Sequence, residues 1–381
     1  MTTVTKTIGT SSRDYSDINA WEADLNSDSI YSDGDTAIGE IYADSTFTDV
    51  YNLIENGSAI GGSSGYDLAL IKLTVHVDSR HNGTAGTGAR LHSTANGVHN
   101  NGVIRINVDN VMVEWLEIDM DSDGDITTED SDSRDLNKGI VLTGTNDNCI
   151  IRNMLIHGKY GDPGNTGPYG IHVIGAGASS DTLTIQNNIV YNLVETNRDT
   201  AAAINTHNWA GNAYIYNNTV YNIQGESSGK HGIGFRFGGV SSSNTRIKNN
   251  IASKCEGGTD IAYWKSTSGS TVDSANNLSD DTTHATYNAK DMAQSLNDTS
   301  ALTGKTLAQI SFVSTTNNIE DLHITSDSHC VDAGVDLGTT NGVEIDINGR
   351  NRDSSGDTWD IGAHELVADT TAGAAFIAFV H

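Results

Sequence analysis

Residues 183–192 read LTIQNNIVYN, and residues 213–222 read AYIYNNTVYN. The pattern returns as IIRNMLIHG at 150–158 and TRIKNNIASK at 245–254. In each copy an isoleucine (Ile151, Ile185, Ile215, Ile247) stands two positions before an asparagine (Asn153, Asn187, Asn217, Asn249). Another apolar pair, such as Ile189–Val190, follows. VEWLEI (113–118) resembles an earlier copy and VDSANNL (272–278) a later one. A second strand recurs between these, as KGIVLTG, YGIHVIG, AAINTHN, HGIGFRFG and TDIAYWKS. Its anchors Ile140, Ile171, Ile204, Ile233 and Ile261 recur about every thirty residues.

Short alternating strands at that period, with no helical pattern, are what the coils of a parallel β-helix require. Coils stack at ~4.8 Å, so like residues lie above like. Stacked Ile and Val fill the interior, each contributing roughly 1.5–3 kcal/mol when buried. Asn tolerates the left-handed turn that a coil corner needs, and stacked amides can form a hydrogen-bonded ladder. An antiparallel sandwich would not repeat five strand copies in one phase. The fold expected is all-β, a parallel β-helix over 46–365 with an N-terminal cap region at 1–45.

Both ends of such a stack expose unpaired edges and need covers. In SDINAWEADLN (16–26), Ser16 is an N-cap candidate, and Ile18, Trp21 and Leu25 recur at helical spacing. This predicts a short helix capping the first coil. KDMAQSLN (290–297) and LTGKTLAQISF (302–312) predict an irregular, partly helical C-terminal region before the final turns. The tail 366–381 carries the apolar AAFIAFV and reads as a docking or homo-oligomerisation segment.

Composition agrees with many short strands and tight turns: 40 glycines, 2 prolines and 6% aromatics among 381 residues. A net charge of −28 argues against nucleic acid and anionic membranes as partners. Cys149, Cys255 and Cys330 are too few and scattered for a disulfide framework and read as small buried residues. MTTVTKTIGTSSRDY lacks the apolar run of a signal peptide. The chain is therefore expected to be made in a cytoplasm, then to stay there, leave by a non-Sec route or join a virus particle released by lysis.

The I-x-N-N-x-V repeats resemble those of right-handed parallel β-helix proteins of the pectate-lyase-like superfamily. HCVDAGVDLG (329–338), DINGRNR (346–352) and WDIGAHE (359–365) look like the closing signature of many such proteins. The resemblance covers about residues 100–365. It implies a fold more than a function, because the superfamily includes lyases, hydrolases, epimerases, adhesins and phage tailspikes. The opening TKTIGTSSRDYSDINAWEADL is similar to the start of bacteriophage-encoded β-helix proteins.

The stretch DMDSDGDITTED (119–130) has the spacing of a calcium loop. Asp119, Asp121 and Asp123 supply carboxylates, Gly124 allows the turn, Asp125 offers its carbonyl, Thr127 binds directly or through water, and Asp130 closes. Clustered carboxylates repel, and a divalent cation relieves that. Because VEWLEI is a strand, a Ca²⁺ ion here would be a structural clip and not a sensor.

Alternation along the second strand points His172, Asn205, His207, Arg236 and Trp264 outward, with Trp209 and Lys265 nearby. An aromatic platform beside His and Arg suits a carbohydrate. Arg236 could neutralise a uronate and His207 could act as a base. Loops after the Asn turns carry His157, Lys159, Tyr160, Asp162, Glu195, Arg198, Asp199, Glu226, Lys230 and His231. Of these, Asp199 and Glu226 could do acid–base work on a glycosidic bond. Among catalytic motifs, neither HExxH nor a lyase-type Asp/Arg tandem occurs. The function expected is a structural surface protein of a bacteriophage virion, as capsid decoration or tail appendage. It would contact other virion proteins through its tail and engage surface polysaccharide. The alternative is a polysaccharide lyase or glycoside hydrolase.

Overall fold

The computed structural model of the protein describes residues 2–26, 29–44, 46–48, 51–53, 68–92, 102–120, 138–160, 167–195, 200–225, 231–256, 261–265, 269–280, 298, 300–354 and 358–366. These form a parallel β-solenoid. Each pass of the chain adds one strand to each of three sheets, here called A, B and C. Thus Thr182–Gln186 lies in A, Ile189–Val194 in B and Ala201–Asn205 in C, and Asn212–Tyr216 returns to A beside the first. Among the described residues the sheets hold nine, eight and seven strands. Ile151, Ile185, Ile215 and Ile247 pair in register along sheet A, all fully buried. The three cysteines are buried and free.

The first parallel pair is Thr3–Ile8 with Thr36–Ile41, so the segment 1–45 supplies strands as well as a helix. The helix, α1 (Ile18–Ala23), packs Ile18 and Trp21 into the core. Its N-cap is Asp17 and not Ser16: the Asp17 carboxylate accepts from the Ala20 N–H at 2.7 Å.

Sheet C corrects the register expected from its glycine–isoleucine repeats. Ile140, Ile171 and Ile204 stack as anticipated, but the next partners in that row are Phe235 and Tyr263. Ile233 and Ile261 align with Tyr169 and Ala202 in a separate outer cluster. Strand pairing sets the register, and the larger rings two residues on take the interior position.

The two asparagines of each NN turn divide the work. The first takes left-handed backbone: φ is 52° to 57° at Asn153, Asn187, Asn217 and Asn249. The second makes the ladder. Asn188 donates to Asn218 at 2.9 Å, Asn218 to Asn250 at 2.9 Å and Asn250 to Asn277 at 3.0 Å, all buried. Each also reaches a carbonyl of the preceding coil, as Asn218 does to Ile185 at 3.0 Å. Buried amides are thereby satisfied in both directions, which a low-dielectric interior demands.

The first asparagines are free to face outward, and the C-terminal chain uses them. Their side-chain amides donate to successive main-chain carbonyls: Asn276 to Ala333, Asn249 to Val335, Asn217 and Asn187 to Val343, and Asn153 to Asp346. The chain therefore runs back along the solenoid. The parallel strands finish at Leu278–Ser279. The described residues of 300–366 add none to the three sheets and form a small module on the outer face of sheet B. It contains helix α2 (Leu307–Ile310), begun by a Thr306–Gln309 capping box, and an antiparallel pair, Phe312–Ser314 with Asp321–Ile324. Its Ile310, Ile324, Cys330 and Ile361 cover Ile251 and Leu278, while Leu322, Ile347 and Ala363 cover Leu155, Ile189, Tyr191 and Tyr221.

The closing signature is the lock. Fully buried Arg352 donates to Glu365 at 2.7 Å and to the Gly362 carbonyl at 2.8 Å. Asp346 accepts from the N–H groups of Asn348, Arg350 and Glu365. Gly362 has φ +103°, and any Cβ there would lie 2.5 Å from Ile251, so only glycine lets this turn seat on the solenoid.

The division of labour gives a prediction. Asn218→Ala removes the acceptor for the buried Asn188 N–H and amide, and should cost about 3 kcal/mol in equilibrium unfolding. Asn217→Gly keeps the left-handed turn and should cost under ~1 kcal/mol. Equal losses would contradict the assignment.

Candidate functional site

Sheet B presents two outward rows. One runs Arg90, Glu117, Leu155, Ile189, Thr219, Ile251, Leu278. The other runs His92, Asp119, His157, Tyr191, Tyr221, Ser253. Both are charged in the early coils and mostly apolar or aromatic in the later ones. The module covers the apolar end, as the removal of that surface from water requires. The charged end is left at its margin, and a groove opens there.

The nearer chamber of this groove has a volume of about 340 Å³. Arg90, Asp119, His157, Tyr191 and Asn192 line its solenoid wall, and Asn318 to Glu320 line its module wall. His157 Nε2 meets Glu117 Oε1 at 3.1 Å, and its Nδ1 lies 4.0 Å from Asp119 Oδ1. Asp119 Oδ2 is held by Arg90 at 3.3 Å and His92 at 3.2 Å. Glu320 accepts from Asn192 at 2.7 Å, and Asn192 accepts from Asn222 at 2.7 Å. The His157 and Tyr191 rings stack at 5.0 Å.

Burial pulls the His157 imidazole down, but the Glu117 hydrogen bond and the Asp119, Glu117 and Glu320 charges outweigh it and hold it above its ordinary value. Burial pushes Glu117 up, yet His157, the Gly86 N–H and Arg90 hold it below the usual carboxylate range. The result is a buried histidine–carboxylate pair beside Asp119 and Glu320, two carboxylates that face one chamber from different walls. Donor and acceptor side chains of both signs line it.

A second chamber, of about 680 Å³, adjoins the first at Thr84, which lines both. Trp115, Arg80 and His81 belong to its solenoid side, and His323, Arg350 and His364 to the module. His81 Nε2 donates to the Asn153 carbonyl at 2.9 Å and its Nδ1 accepts from Gly83, so burial holds a neutral ring with its pKa pushed down to about 4. Gly83, at φ +88°, passes so close to His323 that a Cβ would sit 2.7 Å from its ring.

The expected carbohydrate face lies elsewhere, on sheet C, and is only partly assembled. His172, Asn205, Arg236 and Trp264 do form one register row. Arg236 lies over the Trp264 ring at 4.6 Å, so that aromatic face carries a protein partner. Asn205 is buried, and its side chain accepts from the His207 N–H at 3.0 Å. His207 sits on the turn, not in the row; burial, then Arg236, lowers it to about 4. Burial and the Lys138, Arg236 and His207 charges lower His172 to about 3. Trp209 is a core residue, 1% exposed, packed where the chain passes Gly177. Lys265 pairs with core residue Phe237 and is buried, so neither it nor Trp209 belongs to an open surface.

Asp121, Asp123, Asp125, Thr127, Asp130, Asp199 and Glu226 lie outside the described residues, as does the tail 367–381. Sequence reasoning missed Glu117 and read Asp119 only as a calcium ligand. The signal was present: aligning the repeats stacks Asp119, His157, Tyr191 and Tyr221 at one outward position.

Among the described residues no helix is long and apolar enough to cross a membrane. No protein-family model matches the sequence, and no curated protein does.

The His157 pair sets a pH dependence. A raised histidine stabilises below its unfolded pKa of about 6.5 and loses that contribution as pH rises through its folded value; a lowered Glu stabilises above about 4.5 and loses it as pH falls. The melting-temperature gap between wild type and His157→Gln should therefore peak between about pH 4.5 and 6.5 and narrow on both sides. A gap independent of pH would refute the ion pair.

Proposed function

We propose that this protein is a rigid surface component of a bacteriophage particle that binds polysaccharide in the groove between sheet B and the C-terminal module. The observation that carries the glycan reading is the mixed-sign chamber bounded by Arg90, Asp119, His157, Asn192 and Glu320. Virion placement is supported by the similarity of the opening segment to phage-encoded β-helix proteins, and the tail would supply the contact with other virion proteins. A second reading, glycoside hydrolysis, is favoured by one feature: Asp119 and Glu320 reach the same chamber from different walls.

One experiment separates these readings. Purified protein is assayed on a glycan array and for release of reducing ends, alongside its co-sedimentation with particles. The proposal expects binding without cleavage, weakened about tenfold by Asp119→Asn or Glu320→Gln, and particle association lost on deleting 370–381. Cleavage abolished by those substitutions, with no particle association, would establish the hydrolase instead.

The proposal includes a structural Ca²⁺ at 119–130. Asp119 Oδ2 is already held by Arg90 and His92, so the later carboxylates would carry most of the coordination. A chelator should lower the melting temperature of the wild type and leave Asp121→Ala unchanged. Equal melting with and without chelator in the wild type would remove the ion from the account.

A further inference from the structure

The larger chamber carries a different chemistry from the smaller one. Arg80 and Arg350 both line it, and among the described residues neither forms an ion pair with a carboxylate. Arg80 Nε donates to the Val75 carbonyl at 3.2 Å and Arg350 Nη1 to the Glu365 carbonyl at 3.5 Å, so each keeps other N–H groups at the cavity it lines, in a chain with a net charge of −28. The carboxylate of the chamber, Asp321, is taken up by His323 Nδ1. His364, 6% exposed, lines the same cavity, and among the described residues its Nδ1 has no hydrogen-bond partner. His323 and His364 meet edge to face at 4.6 Å.

The floor is built by an exception to the repeat. Glu114 pairs with Arg152, so Trp115 occupies the coil position that Asn153 occupies in the next coil. Trp115 adopts the same left-handed turn, φ 67°, where a bulky residue is strained and asparagine is not. The amide contacts that hold the C-terminal chain reach only to Asn153, one coil after Trp115. Where the next asparagine would have drawn the chain inward, an indole lies instead, with the Arg80 guanidinium 4.4 Å above it. The strained tryptophan thus holds the chamber open and presents a stacked arginine to it.

From this geometry we propose that the larger chamber is an anion subsite that takes an acidic substituent, a carboxylate or sulfate ester, on the glycan bound in the adjoining chamber. The inference rests on the glycan reading and narrows it to acidic polysaccharides. Arg350, exposed on the module wall, makes the first contact, and Arg80 on its indole platform makes the deeper one. Each guanidinium can bind a planar or tetrahedral oxyanion through two N–H groups.

The test uses the whole protein and calorimetric titration with four probes: a neutral cellohexaose, a hexagalacturonate, a sulfated heparin hexasaccharide and inorganic sulfate. The wild type should bind one or both acidic oligosaccharides at least tenfold more tightly than the neutral one. Hexagalacturonate binding shows that a carboxylate suffices; binding of the heparin probe alone, which carries both groups, shows that sulfate is required. Arg350→Gln should abolish that preference. Trp115→Asn keeps an asparagine-compatible turn, should fold, and should lose the preference as well. Binding of the neutral probe with no acidic preference would overturn the subsite and leave the glycan reading standing. Sulfate binding that depends on Arg350, with no oligosaccharide bound, would keep the anion site and overturn the glycan reading. A preference that survives both substitutions would also overturn the subsite.

Discussion

The structure depends on a turn that needs two asparagines for different reasons. The coil corner requires left-handed backbone, which asparagine tolerates at low cost, and it buries polar groups that must be paired. The first asparagine meets the geometric demand at Asn153, Asn187, Asn217 and Asn249. The second meets the bonding demand through the ladder of Asn188, Asn218, Asn250 and Asn277. Because the second does the internal work, the first has its amide left over, and a column of outward donors runs along the solenoid.

That column explains the rest of the architecture. The returning C-terminal chain offers its carbonyls to the column, and Arg352 with Glu365 fixes the far turn. The apolar half of sheet B is covered as a consequence, and its charged half is not. The groove is therefore a boundary effect: it forms where the outward asparagines stop and Trp115 begins. Its two chambers inherit different chemistry, one from the Glu117, Asp119 and His157 rows of sheet B, the other from loops that bring Arg80 and Arg350 to one cavity.

The solenoid was legible because stacking forces like residues into one repeat position, and Ile151, Ile185, Ile215 and Ile247 show it directly. The capping helix was legible from its apolar spacing, while its cap was displaced by one residue because Asp17 competes with Ser16. The sheet C anchors failed at Ile233 and Ile261, since similar dipeptides recur two residues out of register and only strand pairing decides between them. The partly helical C-terminal region was legible, and α2 falls within the predicted 302–312, but its lateral placement was not: its main tether uses backbone carbonyls, which leave no mark in sequence. For the same reason the candidate site was sought on sheet C, where Trp209 and Lys265 prove buried, and not beside Asp119 and His157. Glu320, which faces the same chamber, is far away in sequence and comes into reach only through that tether.

Hydrogen–deuterium exchange of the protein with and without a bound acidic oligosaccharide tests the central claim, that the groove at the end of the asparagine column is the recognition site. The account predicts new protection confined to residues 80–86, 318–323 and 348–350, the loops that line the two chambers. Protection centred instead on 172–175, 205–208 and 236–239 of sheet C would contradict it.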